Sequence, residues 1–442
     1  MLEIFEIYTV VITTLWIVLK FRTLYQSSQF TIGILLYIFY IIPLLLDYSY
    51  QFVDYSNEGW GFRVSSNDIW CRILYDITIM YTIYRVLYKP PKHLYPVYNQ
   101  IDNRNIKQYR AYLLLGSLIP PIAVILLLRQ PGMLFLFQWR ELGIFPTTGS
   151  YSTIEKFTYI AVSCSVFLLL DRNTKLVNIY RLLSLPLLAV NICIQGKRAI
   201  IFFMVINVCI ICYFRVKDII FKSKHSLLNV LFVISICLGG LVFMLNMTYQ
   251  VKSERGYNVN DDSAMYTSTR IDFFRDDRVR LAIYKKLYPD ETPMLDYPGQ
   301  TILTDMLSFV PLNYVTSAVG AERYNYQTYL TCALENHKRG NKINVSQYGY
   351  MTVCFIAELI SNFGILAIFI IPYVCLWFCK KIDQYPYPYN ALITCAFVLL
   401  NLFDFTYIVY YLELLFVLCC LYKFKHNKYK PLISGKQRYN TT

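Results

Sequence analysis

The stretch Val190–Phe203, VNICIQGKRAIIFF, sets two apolar runs back to back with only Gln195, Gly196, Lys197 and Arg198 between them. A hairpin of water-soluble helices would carry polar residues along one face of each arm, whereas here polarity is nearly confined to the turn. Helices that cross a bilayer are joined in this way, because about 20 apolar residues span the hydrocarbon core.

Working outward, the same grammar repeats along 442 residues that are 56% hydrophobic and 16% charged. Apolar blocks near residues 4–20, 30–46, 68–88, 111–128, 153–170, 176–194, 199–214, 226–247, 361–379, 388–403 and 406–422 predict about eleven membrane helices. The blocks are continuous rather than alternating, which argues against a barrel. The expected fold is therefore all-α: a polytopic integral membrane protein with about 11 transmembrane helices and one large, partly helical extracytoplasmic loop. The organisation reads as an N-terminal bundle of about eight helices over 1–247, the loop over 248–349, C-terminal membrane helices over 350–422 and a basic tail over 423–442. The first block is read as a retained helix and not a signal peptide, since Lys20 and Arg22 follow the apolar run instead of preceding it.

A formal charge of +14 raises the question of nucleic acid, but the cations lie on alternate loops. Arg85, Lys89, Lys92, Arg104, Lys107 and Arg110 face the single acid Asp102, and the tail adds Lys423, Lys425, Lys428, Lys430, Lys436 and Arg438 with no acid. This is the positive-inside pattern, so no nucleic-acid partner is expected, the N-terminus is placed outside and the C-terminus in the cytoplasm. Of thirteen cysteines most fall in or at the ends of apolar blocks, and Cys332 is the clearest one in the large loop, so a disulfide framework is not expected.

On that topology the GlyLysArg turn is an outer one, where excess cations are disfavoured. Lys197 and Arg198 either snorkel to the lipid headgroups or face a membrane-borne anion, for which arginine offers a planar bidentate fork. The loop from Thr248 to Gly349 holds twelve basic and twelve acidic residues and is too rich in aromatic and apolar residues for a solvated linker. Within it, Thr269–Tyr288 predicts an amphipathic helix on which Arg275, Arg278, Lys285 and Lys286 form a cationic stripe. That stripe reads either as a solvated face paired with Asp272, Asp276 and Asp277 or as an anion site. Three further acids inside the blocks, Glu6, Asp76 and Glu413, read as hydrogen-bonding between helices.

The GlyLysArg turn, the loop motif ArgIleAspPhePheArg from Arg270, the segment Gly299–Pro311 (GQTILTDMLSFVP) and the segment Ala357–Leu366 (AELISNFGIL) stand in an order that resembles the Wzy-type bacterial O-antigen polymerases. Those relatives often place a basic residue after the loop proline, whereas Leu312 and Asn313 follow Pro311 here. The resemblance implies a membrane-embedded, lipid-linked-sugar glycosyltransferase of the bacterial inner membrane. Its substrates would be oligosaccharide repeat units on undecaprenyl pyrophosphate, and its implied partners are membrane lipids and the chain-length regulator and flippase of the same pathway. The departing pyrophosphate needs positive charge, for which Arg198, Lys197, Arg270, Arg275 and Arg278 are the candidates, and the accepting hydroxyl needs a base. Glu358 is the first choice of base, with Asp272 and His337 behind it; a structural pairing of Glu358 with a loop arginine stays open. No phosphate-binding loop and no Asp-x-Asp pair occurs, so neither metal nor cofactor is expected, with Asp276 and Asp277 leaving a metal open. Two other classes remain: a ligase or related membrane glycosyltransferase, and a lipid-linked oligosaccharide flippase, against which the single dominant loop and the outer position of the cations argue.

Overall fold

Among the described residues, the apolar blocks are helical, because a backbone removed from water satisfies its N–H and C=O groups within the segment. The computed structural model describes residues 2–24, 27–45, 68–88, 103–128, 149–170, 179–195, 198–222, 274–289, 295, 297–307, 326, 330, 353–385, 387–403 and 405–434. These residues form α1 (Leu2–Leu24), α2 (Ser28–Tyr40), α3 (Ile69–Tyr88), α4 (Asn103–Leu128), α5 (Gly149–Leu169), α6 (Ile179–Gln195) and α7 (Arg198–Lys222). After them come α8 (Asp276–Leu287), α9 (Gln300–Leu307), α10 (Phe355–Phe363), α11 (Ala367–Gln384), α12 (Tyr389–Leu402) and α13 (Phe405–Ser434). No strand occurs among the described residues, so the structure is all-helical there. The expected block at 226–247 and most of the large loop lie outside the described residues.

Among the described residues, three segments are long and apolar enough to cross a membrane: Ile4–Phe21, Ser28–Leu45 and Phe355–Gln384. Their exposed side chains support a membrane-associated protein. On α11 and the turn before it, Ile365, Phe369, Tyr373 and Trp377 recur every fourth residue and are 48–70% exposed. On α1, Ile4, Tyr8, Val11, Leu15, Val18 and Leu19 form a similar outward stripe. Water disfavours such stripes and lipid does not. Hydroxyls along these helices are absorbed internally: Thr9, Thr13 and Thr14 donate to the carbonyls of Phe5, Thr9 and Val10 at 2.7–3.0 Å, the usual way a membrane helix satisfies threonine.

The chain divides into two compact units, each assembled from non-contiguous segments. The first comprises Met1–Pro96, Tyr213–Gln384 and Ala396–Val409. In it α3 packs against α1, α2, α11 and α8, while α10 packs against α8, α9 and α11. The Leu87 side chain fills the notch at Gly33, and Tyr75 of α3 donates to the carbonyl of Tyr40 on α2 at 2.7 Å. The last block but two of the sequence reading, 361–379, is preceded by a separate helix. At Gly364 the backbone takes φ +57°, a conformation open to glycine, and the chain passes through a short 3-10 turn (Gly364–Leu366) before α11 begins.

The second unit comprises Val97–Cys212, Tyr385–Cys395 and Tyr410–Thr442. Here α4, α5 and α6 pack on one another, and buried polar groups link helices of this unit. Asn191 donates to the Ser117 carbonyl at 3.0 Å, Cys395 to Asn207 Oδ1 at 3.0 Å, and Tyr411 to Ser163 Oγ at 3.2 Å. Gly116 lets α4 approach α5 closely, since a Cβ there would meet Cys164 Sγ at 2.8 Å. Gly116→Val is accordingly expected to cost about 1–3 kcal/mol by overpacking, read as a lower midpoint of thermal unfolding in detergent micelles. No disulfide joins the cysteines whose side chains are described.

Candidate functional site

The segment around α8 draws three arginines into the first unit. Two acids, Asp276 and Asp277, occupy the first turn of α8 and complement its N-terminal pole, while Lys285 and Lys286 close the last turn. Every residue from Asp276 to Ile283 is buried. The helix therefore starts later than Thr269–Tyr288 predicts, and the expected cationic stripe is divided: Arg275 precedes the helix and is buried with Arg278, while Lys286 is exposed. The physical reason is that α8 packs on both α3 and α10, so its arginines are enclosed rather than solvated.

Each arginine has a definite place. Arg275 donates through Nε to the carbonyl of Leu402 at 3.2 Å and through Nη1 to that of Phe274 at 2.9 Å, holding the C-terminal end of α12. Arg278 has Asp277 at 4.0 Å, and Arg280 has Asp276 at 3.8 Å while lying over the Tyr75 ring at 5.1 Å. Both ion-pair distances exceed those of a tight charge-assisted bond, about 2.7–2.9 Å. Burial works against the charge on Arg280, but Asp276, Glu6, Tyr75 and Asp277 outweigh it, so its protonation is held more firmly than in water.

On α10, which packs on α8, Glu358 is fully buried. Its Oε1 accepts from Thr301 Oγ1 at 2.8 Å and its Oε2 from the backbone N–H of Phe405 at 3.1 Å. Asn362, one turn on, donates to Thr301 Oγ1 at 2.7 Å and to the Glu358 carbonyl at 2.8 Å. Ser361, on the same short helix, shares a hydrogen bond of 2.9 Å with Tyr326. Thr301 reaches this cluster because Gly299, at φ +86° and against the ring of Phe363, turns the chain into α9. The segments beginning at Gly299 and at Ala357 are thus brought together through Thr301, Glu358 and Asn362.

A second polar group lies between α1, α3 and α8. Arg72 binds Glu6 at two points, one of them Nε to Oε1 at 2.6 Å. Asp76, one turn further along α3, is buried and faces Glu6 and Thr9 of α1, Arg72 of its own helix and Arg280 of α8. The expectation that Glu6, Asp76 and Glu413 bond between helices is met by Glu6. Glu413 Oε2 lacks a hydrogen-bond partner among the described residues.

Of the residues singled out in the sequence, Glu358, Arg275 and Arg278 fall in this unit, while Arg270, Asp272, His337 and Lys197 lie outside the described residues. Arg198 opens α7, and its side chain lies outside them as well. Sequence reasoning passed over Thr301, Arg280 and Arg72. A threonine just after a glycine and an arginine four residues before an acid inside an apolar block were the available signals. No group of three or more His, Cys, Asp or Glu side chains suited to a metal occurs among the described residues. Chemically, the arrangement offers a hydrogen-bonded carboxylate on α10 and buried guanidiniums on and just before the adjoining α8, groups suited to a hydroxyl donor and a multivalent anion. No protein-family model, curated protein or solved structure matches this chain.

Proposed function

We propose that this chain is a Wzy-type O-antigen polymerase with about eleven membrane spans, its N-terminus outside and its C-terminus in the cytoplasm of a bacterial inner membrane. It transfers the growing glycan from undecaprenyl pyrophosphate to the terminal hydroxyl of the incoming lipid-linked repeat unit at the periplasmic face. The observation that carries this reading is the meeting of the Gly299 and Ala357 segments at Glu358 and Thr301, on a helix that packs against α8 with its buried arginines.

In the reaction the acceptor oxygen forms a bond to the anomeric carbon of the donor, and the bond from that carbon to the pyrophosphate oxygen breaks. Glu358 takes the hydroxyl proton, and the electron pair leaves with the pyrophosphate. Arg275 and Arg278 meet the charge that develops on the leaving group. The 4.0 Å contact of Arg278 with Asp277 is loose enough for a pyrophosphate oxygen to replace it.

Deletion of the gene in its host tests the reading through the lipopolysaccharide pattern on a gel. The expected result is core carrying a single repeat unit, whereas bare core points to the ligase or flippase instead. Arg198→Ala is expected to shorten or abolish long chains, with Arg198→Lys intermediate, since lysine keeps the charge and loses the fork. Full-length chains in both variants at normal expression remove Arg198 from the anion site.

A further inference from the structure

Glu358 is 0% exposed, out of reach of bulk water, so protein donors set the direction of its carboxyl group. Among these, the Thr301 hydroxyl donates to Oε1 at 2.8 Å and the Phe405 N–H to Oε2 at 3.1 Å. The two donors come from different elements, one from α9 and one from the start of α13, and together they engage both oxygens.

The direction of the Thr301 proton follows from its neighbours. Asn362 gives an Nδ2 hydrogen to the Glu358 carbonyl at 2.8 Å, and a carbonyl can only accept. That contact decides which end of the Asn362 amide is nitrogen. The same nitrogen stands 2.7 Å from Thr301 Oγ1, so the hydroxyl accepts there, while the Thr301 N–H faces Asn362 Oδ1 at 3.4 Å. A hydroxyl has one hydrogen, and with Asn362 donating to it that hydrogen is directed to Glu358. All three side chains are buried, and Asn362 lies one turn beyond Glu358 on α10, so one short helix supplies both the carboxyl group and the amide that aims its donor.

We propose that Thr301 is a positioning residue for glycan transfer: its hydroxyl, aimed by Asn362, holds the Glu358 carboxyl group in the orientation in which the acceptor hydroxyl meets it. This inference rests on the reading of Glu358 as the base that takes the hydroxyl proton. Orientation matters at such a place, since a misplacement of about 1 Å in a reacting group costs about 100-fold in rate. Without the Thr301 hydroxyl, Oε1 loses a donor and the carboxyl group can turn on its side chain.

The test uses the full-length chain and its variants in membrane vesicles from a host lacking the gene, supplied with that host's own lipid-linked repeat unit, with turnover followed as long-chain glycan. Thr301→Val, close in shape and without the hydroxyl, is expected to lower kcat by about 10- to 100-fold while KM for the repeat unit is little changed. Thr301→Ser restores the hydroxyl and should recover most of the turnover, and Asn362→Ala, which keeps the hydroxyl and removes its aim, should lose less than Thr301→Val. In a Glu358→Gln chain, Thr301→Val should add no further loss, because the group it aims is already gone. Thr301→Val at wild-type turnover beside an inactive Glu358→Gln overturns the positioning role and leaves the base standing, whereas a fully active Glu358→Gln removes the base and the positioning role with it. Full additivity of the two changes, a Thr301→Ser chain as slow as Thr301→Val, or a Thr301→Val chain that fails to fold also overturns the proposal and reduces Thr301 to a tie between α9 and α10.

Discussion

Arg280→Ala is expected to destabilise the chain by about 3–5 kcal/mol, because it withdraws a buried guanidinium from carboxylates that stay enclosed. The side chain is 5% exposed, lies against Asp276 at 3.8 Å and covers the Tyr75 ring, so truncation also opens a void between α8 and α3. Equilibrium unfolding in micelles measures the loss. The double variant Arg280→Ala with Asp276→Ala should recover part of it, since removing both partners leaves less uncompensated charge than removing one. A single variant within about 0.5 kcal/mol of wild type would mean that α8 is not held to α3 through this arginine.

Glu358 is expected to give two separable results. Glu358→Ala leaves the Thr301 hydroxyl and the Phe405 N–H without their shared acceptor in a buried place, at a cost of about 2–4 kcal/mol. Glu358→Gln keeps the shape and an oxygen acceptor, so it should fold with a loss near 1 kcal/mol, but it cannot take a proton from a sugar hydroxyl. Under the proposed function, Glu358→Gln should lower polymerisation by about 100-fold or more at normal expression. A fully active Glu358→Gln chain would reduce Glu358 to the tie that joins α9, α10 and the start of α13, and leave the stability prediction standing.

The two variants at Glu358 also mark where sequence reading was sufficient and where it was not. An acid beside an apolar block is visible as an anomaly, and so Glu358 was legible. Its partners were not: Thr301 is 57 positions away and Phe405 is 47, and the latter contributes a backbone N–H that any residue other than proline would supply. Arg275 and Arg278 were legible as cations on a helix, but a helical wheel shows only which residues share a side. It cannot show that the whole first half of α8 is enclosed, because that depends on α3 and α10 closing over it.

The break at Gly364 follows the same division. Hydropathy runs unchanged across Ala357–Leu366 and merges α10 into α11, since a left-handed glycine alters no apolar count. For this protein, then, the sequence by itself determined the all-helical, membrane-associated class, because apolar block length and the clustering of cations are one-dimensional properties. The tertiary structure alone decided which groups meet: Glu6 gained Arg72, Glu358 gained Thr301 and Phe405, and Asp76 was enclosed among Glu6, Thr9, Arg72 and Arg280. Burial and partnership are set by which helices meet, and three acids that look alike in the sequence end in three different electrostatic situations.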